Sequence, residues 1–360
     1  MSTAQPVDAT ADAMAQRLLE AALGTADLLS IYLGDRLGWY RSLRADGPAT
    51  PEELAARTDT HPRYAREWLE QQAVTGVIEV VDGEPVRFTL PDAAAEVLTD
   101  GSSLAYLAPL ARMFCAAAGQ MPALLEAYRT GGGVGWAQYG ADARESQAEM
   151  NRPWYELALP KALRSVSDLD ALLREPGTRI ADLGCGGGWS TIALAGAYPA
   201  ATVDGYDIDT ASAQLASRNG DSHPDIAPRI AFHCDDAARL PASAFNAIFA
   251  FECIHDMPDP VGVLAAARLA LAPGGCVVIM DEAVADSFDA PGDETERLMY
   301  GFSLLVCLPD GMNHRPTAAT GTVMRPDTLR GYAFEAGFTG FEILPIEDFG
   351  FWRFYRLTAA

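Results

Sequence analysis

The stretch IADLGCGGGWSTIALAGAY, residues 180–198, passes from an apolar run through four glycines into an alanine-rich segment of helical composition. Strand, tight turn and helix in that order bring the backbone at Gly184, Gly186 and Gly188 close to any ligand seated on the turn, where a Cβ would collide. A dinucleotide fingerprint of the form G-x-G-x-x-G would need its third glycine at position 189, and that residue is Trp189. A pyrophosphate is therefore not the expected occupant.

Outward from this turn the chain repeats the same grammar. TRIADLG, ATVDGYDI, RIAFHC, NAIFAF and GCVVIM are apolar runs of strand length separated by Ala-rich helical stretches. Such alternation predicts an α/β fold with a parallel sheet covered on both faces. Upstream the pattern changes. Residues 12–33 place Met14, Leu18, Ala22, Leu28, Leu29 and Tyr32 at helical spacing, on a helix that needs a partner surface. ATPEELAART offers Thr50 as N-cap, Pro51 at the first position and Glu53 at the third; a further helix begins near HPRYAREWLEQQ and stops near Gly76. A short strand, the turn at Asp82-Gly83 and VRFTL complete the element order of a winged helix. Residues 101–175 read as helices interrupted by GGGVGWAQYG. The expected parts are thus 1–100 (winged helix and dimerisation), 101–175 (helical linker and substrate cap) and 176–360 (the sheet domain), with no internal repeat.

Composition narrows the functions. The 360 residues, 49% hydrophobic, suffice for two cores, while 49 acids against 26 bases leave a formal charge of -23. Lys161 is the sole lysine. A molecule of this charge repels polyanions, so neither nucleic acid nor an anionic membrane is an expected partner. Cys115, Cys185, Cys234, Cys253, Cys276 and Cys307 are scattered, without C-x-x-C pairs or a neighbouring His cluster, so buried thiols are expected and no metal. The opening MSTAQPVDATADAM lacks a basic n-region before an apolar one, and no run of about 18 apolar residues occurs. The expected location is the cytoplasm.

The segment DLGCGGG resembles motif I of class I S-adenosylmethionine-dependent methyltransferases, D-x-G-x-G-x-G, through Asp182, Gly184, Gly186 and Gly188. The resemblance implies a Rossmann-like sheet behind a mainly helical winged-helix domain, with S-adenosyl-L-methionine as cofactor. It also assigns residues. Asp207, 23 positions after Gly184, would hold the ribose hydroxyls, and Ile208 would lie on adenine. Asp236 and Ala237 in FHCDDAARLP would meet the adenine edge, and Glu252 is likewise put at the cofactor. The family's Phe-Asp at the fourth strand is Phe245-Asn246 here. With the winged helix included, the whole chain is similar to actinobacterial methyltransferases of secondary metabolism, and to plant-type small-molecule O-methyltransferases, in which the N-terminal part forms a homodimer.

Methyl transfer from a sulfonium is an in-line displacement, for which a protein supplies alignment, dryness and, for a protonated nucleophile, a base. The segments expected to cover the site are rich in large side chains: Met113, Phe114, Trp136, Tyr139, Trp154, Tyr155, Met299, Tyr300 and Phe302. Together they favour a small aromatic acceptor. Asn313 and His314 join Tyr139, Trp154, Tyr155, Met299 and Tyr300 as candidate substrate contacts. In FAFECIHDMPDP, His255 and Asp256 follow the fourth strand and resemble the His-Asp-Trp triplet that supplies the base in plant-type enzymes, with Met257 in place of Trp. An imidazole is partly neutral near pH 7 and can take a phenolic proton. Three readings stay open: O-methylation with His255 as base, C- or N-methylation with His255 orienting the acceptor, and a cofactor-binding winged-helix regulator without catalysis. Against a DNA-binding regulator, residues 1–100 hold eight arginines, no lysine and 17 acids, and Arg63 and Arg66 have Glu67 and Glu70 as neighbours.

Overall fold

A computed structural model describes residues 10–359; most of the opening stretch MSTAQPVDATADAM lies outside the described residues. The chain divides into two compact units, residues 1–115 and 116–360.

The first unit opens with the helix Ala11–Arg36, capped by the Thr10 hydroxyl. Three helices follow, Trp39–Asp46, Pro51–Thr58 and Pro62–Val74, and then the hairpin of β1 (Glu79–Val81) and β2 (Arg87–Thr89). Thr50 and Glu53 form the reciprocal capping box, with Pro51 in the first turn. The core packs Trp39 against Trp68 at 4.8 Å between centroids, over Tyr40, Leu54 and Leu69. Gly34 is required there, because a Cβ would lie 2.4 Å from the Trp68 ring. Met14, Leu18, Leu19 and Leu23 on the first helix stay more than half exposed. On the helix Pro62–Val74, Arg63 pairs with Glu67, but Arg66 reaches Glu52 at 3.1 Å, a correction to the Glu70 expected by sequence neighbourhood. Packing of the two helices brings Glu52 closer than one helical turn does.

The second unit places the helices Met121–Thr130, Trp136–Pro153, Leu159–Arg164 and Ser167–Arg174 before a seven-stranded sheet. Its strands are β3 (Arg179–Leu183), β4 (Thr202–Asp207), β5 (Ile230–Cys234), β6 (Phe245–Phe251), β7 (Leu271–Glu282), β8 (Gly340–Ile343) and β9 (Trp352–Thr358), in the order β5-β4-β3-β6-β7-β9-β8. The five strands anticipated from sequence are parallel; β8 and β9 add an antiparallel edge that the all-parallel expectation did not contain. Alternation decides the faces. Along β6, Ala247, Phe249 and Phe251 join the core formed with Leu163, Leu169 and Leu194, while Ile248 and Ala250 join the one formed with Leu264 and Leu329. Asn246, the departure at the β6 entrance, accepts the Arg179 amide at 2.9 Å and so ties β3 to β6. Since β4 and β5 lie on one side of β3 and β6 and β7 on the other, the strand order reverses between β3 and β6, and a crevice opens beyond their carboxyl ends.

Candidate functional site

The glycine loop leaves β3 at one lip of this crevice. Gly184, Gly186 and Gly188 have φ of +62°, +52° and +80°, the left-handed region that a Cβ disfavours. Their surroundings differ. A Cβ on Gly184 would lie 2.7 Å from Cys253 Cβ, and one on Gly188 would strike the Phe232 ring at 2.7 Å and Ala216 at 2.9 Å, whereas Gly186 has nothing within 4 Å. The outer two glycines serve packing and the middle one presents an open cradle. Beneath the loop Asp182 is fully buried; Oδ2 accepts from Ser190 and Thr191, each at 2.6 Å, and Oδ1 has no partner among the described residues. Burial pushes its carboxyl up to about 6, against those two hydroxyl bonds. Ser190 and Thr191 escaped the sequence reading, although hydroxyls in the first turn after a glycine loop are a usable signal.

Asp207 ends β4 with both oxygens engaged by backbone: Oδ2 accepts from Gly186 N and Oδ1 from Asp209 N, each at 2.8 Å. Burial raises its carboxyl above the ordinary value, while those two amides oppose the shift. Each oxygen keeps a lone pair for a further donor. Ile208 beside it is 70% exposed, unusual for isoleucine and suited to a flat ligand. Asp236 is exposed and caps the turn Ala237–Arg239 through Ala238 N, with Ala237 buried beneath it. The open cradle at Gly186, the unpartnered Asp182 Oδ1 and the free lone pairs of Asp207 fit a ligand carrying a ribose and a flat base, as S-adenosylmethionine does.

At the other lip, β6 is followed by Glu252 and a turn containing His255. The ring of His255 is almost fully buried. Nδ1 lies 2.9 Å from Asp281 Oδ1 and 3.3 Å from Glu282 Oε2; Nε2 lies 3.3 Å from Asp256 Oδ1. Burial works to lower its pKa, but Asp281, Asp256 and Glu282 outweigh that and hold it well above the usual imidazole value. In turn the imidazolium holds Asp281 below the carboxylate range in spite of burial, whereas burial drives Glu282 well above it. Donor atoms of His255, Asp281 and Glu282, and of His255, Asp256 and Cys307, gather within 4.8 Å of one another. The imidazolium itself supplies a cation to these carboxylates. Asp281 and Glu282 were missed because the apolar run of β7 was read as ending at Met280; two acids closing a buried strand were the available signal.

Of the other expected contacts, Tyr155 is buried against Phe251, 5.4 Å between centroids, and Trp154 packs on Phe349 and Trp352. The Tyr139 hydroxyl donates to Leu305 O at 2.8 Å. Met299 is buried, Tyr300 is partly exposed beside Arg325, and Asn313 and His314 lie exposed in the turn after Leu308–Gly311. Asp310, unforeseen, accepts the Trp136 amide at 2.7 Å, and burial beside Asp256 pushes it up to about 7. Gly133 explains part of the glycine-rich segment, since a Cβ there would lie 2.1 Å from Asn313 N.

Residues 180–275 match the methyltransferase domain family, and residues 25–100 match the Rv2258c-like winged HTH domain. Among curated proteins the chain is 29% identical over 143 residues to 27-O-demethylrifamycin SV methyltransferase of Amycolatopsis mediterranei, covering 38% of this chain and 52% of that protein. It is 33% identical over 138 residues to ubiquinone biosynthesis O-methyltransferase of Paracidovorax citrulli, covering 36% and 57%. The chain thus spans about half the length of these relatives. Among solved structures, mitomycin 7-O-methyltransferase MmcR superposes with a TM-score of 0.71 at 19% identity, covering 97% of this chain and 98% of that one. Human N-acetylserotonin methyltransferase in complex with SAM gives 0.71 at 17% identity, covering the whole of both chains. At such identities the likeness is one of fold.

Proposed function

Because the chain joins a winged helix-turn-helix domain to a methyltransferase domain, we propose that it is an S-adenosylmethionine-dependent methyltransferase of a small aromatic metabolite, with oxygen as the preferred acceptor atom. The observation that carries this reading is the pairing, across one crevice, of an open glycine cradle held by Asp207 with a buried histidine held by Asp281. When bound, S-adenosylmethionine supplies an electrophilic methyl group on a sulfonium. Asp207 would accept from the ribose hydroxyls, Ile208 would lie on the adenine face, and Asp236 and Ala237 would meet its edge. His255 takes the acceptor's proton at Nε2 while Nδ1–H donates to Asp281, which stabilises the imidazolium formed. Asp256 adds its charge at Nε2. Trp154, Tyr155, Met299 and Tyr300 belong to the acceptor side, with Tyr139, Asn313 and His314 as positioning groups.

A second reading, a carbon or nitrogen acceptor, is favoured by one observation: three carboxyl groups lie 2.9–3.3 Å from the ring nitrogens of His255 and favour its imidazolium form, which donates a hydrogen bond and has no lone pair to accept a proton. The exposed Met14, Leu18, Leu19 and Leu23 support a homodimer formed by the first helix. The pairing of Arg63 and Arg66 with acids speaks against DNA as partner. Among the described residues no helix is long and apolar enough to cross a membrane.

Calorimetry with S-adenosylhomocysteine, followed by transfer of a labelled methyl group to a panel of phenols, indoles and amines, tests the proposal. Binding of NAD in place of S-adenosylhomocysteine, or no transfer to any of the three classes, overturns it. Light scattering that shows a monomer at micromolar concentration overturns the dimer.

A further inference from the structure

Glu252 is put at the cofactor by its position after the fourth strand, yet its carboxylate is occupied within the chain. Oε2 accepts from Gln147 Nε2 at 3.0 Å and from Asn151 Nδ2; Oε1 accepts from Trp352 Nε1. These donors come from two elements far apart in sequence, the helix Trp136–Pro153 and β9. The residue sits at φ +51°, a left-handed conformation that a non-glycine residue keeps only where surrounding contacts impose it. Its own amide donates to Met280 O at 2.8 Å, which fastens the same turn to β7. Asn151 and Glu252 also act on the buried Tyr155 hydroxyl, in the π-helical turn Trp154–Ala158 that follows the helix.

We propose that Glu252 is a positioning residue, whose carboxylate fastens the helix Trp136–Pro153 and β9 across the carboxyl end of β6, at the root of the turn that carries His255.

Three amide and indole donors converging on one carboxylate match its acceptor-only chemistry, and occupy three of its about four lone-pair sites. The groups facing Glu252 are His255 and Asp256 on its own turn, Asp281 and Glu282 at the end of β7, and Tyr155 on the π-helical turn. His255 is the one cation among them. Burial pushes the Glu252 carboxyl up to about 7, with the Asn151 bond and then the His255 charge acting the other way. The fastening and the imidazolium therefore support each other: protonating Glu252 removes an acceptor from the helix and a counter-charge from the ring.

The inference rests on the methyltransferase reading only in calling the site catalytic; its test needs no acceptor. In Glu252→Gln the amide oxygen can accept from Gln147 and Asn151 only by turning its NH2 onto Trp352 Nε1–H, which is itself a donor. Long-range nitrogen–proton spectra resolve five histidines at most, and His255→Asn assigns the resonance. The titration midpoint of His255 should fall by roughly 0.3–1 pH unit in Glu252→Gln, with S-adenosylhomocysteine affinity within threefold of wild type. An unmoved midpoint overturns the charge role, and an affinity loss above tenfold makes Glu252 a cofactor ligand instead. Glu252→Asp keeps the charge but not the reach, so it should leave the midpoint in place while amide exchange across residues 136–158 speeds at least tenfold. Unchanged exchange there overturns the fastening, whether or not Glu252→Gln folds. Failure of wild-type protein to bind S-adenosylhomocysteine would overturn the methyltransferase reading and leave both results standing.

Discussion

The glycine loop and the His255 turn leave neighbouring parallel strands, β3 and β6, at the same end of the sheet, yet they depend on the rest of the chain in opposite ways. The loop is assembled almost wholly from one stretch: Asp182, the glycines, Ser190 and Thr191 lie within ten positions, and only Asp207 comes from the next strand. His255 takes its partners from the end of β7, and its turn is tied through Gly321 N and Ala318 N to a segment some 60 residues later. A cofactor shared by many reactions can be met by a compact local motif. An acceptor particular to one reaction is met by segments that vary independently, which is where loops carry specificity.

The comparison is most easily broken at the ring. His255→Asn should lower turnover by roughly 10²–10⁴-fold with an oxygen acceptor, while S-adenosylhomocysteine affinity stays within threefold. A loss below about fivefold at every pH would leave His255 as a structural residue and favour a carbon nucleophile, whose attack precedes proton loss. Next in size is Asp207→Ala, which should weaken S-adenosylhomocysteine by roughly 10–10²-fold, the range expected for about 1.5–3 kcal/mol of charge-assisted bonding. Calorimetry at fixed salt measures it, and unchanged affinity would remove Asp207 from the cofactor.

What was legible in the sequence follows this division. The glycine turn and the winged-helix element order could be read because each is set by neighbours a few residues away: strand, turn and helix signals, or a cap such as Thr50 with Glu53. The partners of Asp281, Glu282 and Glu252 could not, because they arise only when β6 and β7 pair and β9 inserts beside β7. Tyr139 shows the same limit from the other side. Its large ring suggested an acceptor contact; that its hydroxyl donates to Leu305 O, 166 residues away in sequence, no local signal could show. The antiparallel β8–β9 pair escaped because strand WRFYRLT lies beyond the alternating strand–helix region that defined the sheet.

Asp281→Asn sharpens the comparison on the histidine side. The wild-type rate should rise with pH through a midpoint above the ordinary imidazole value of about 6.5, since the carboxylates raise the ring's pKa and a base acts only when neutral. Removing the charge of Asp281 takes away the largest of these stabilising influences, so the midpoint should move to lower pH. Turnover at high pH should fall by only about tenfold, because the ring loses its orienting acceptor rather than its own nitrogen. A pH–rate series on both proteins decides it: a midpoint unchanged or raised in Asp281→Asn would place the imidazolium's counter-charge elsewhere.

The smallest effect divides the glycine loop itself. Gly186→Ala and Gly188→Ala both put a Cβ into the left-handed region, which costs on the order of 1–2 kcal/mol in either case. At Gly188 the new methyl also meets the Phe232 ring at 2.7 Å and Ala216 at 2.9 Å, and overpacking of that kind adds about 1–3 kcal/mol. At Gly186 it meets nothing within 4 Å, so its stability loss should be confined to the backbone term. Affinity should rank them the other way, because a methyl on the open cradle intrudes where the ligand would approach, while one on Gly188 points into the packing behind. Thermal unfolding and S-adenosylhomocysteine calorimetry on the pair measure both quantities. If Gly186→Ala proves the less stable of the two, or binds as tightly as wild type, the cradle is not the face that meets the cofactor.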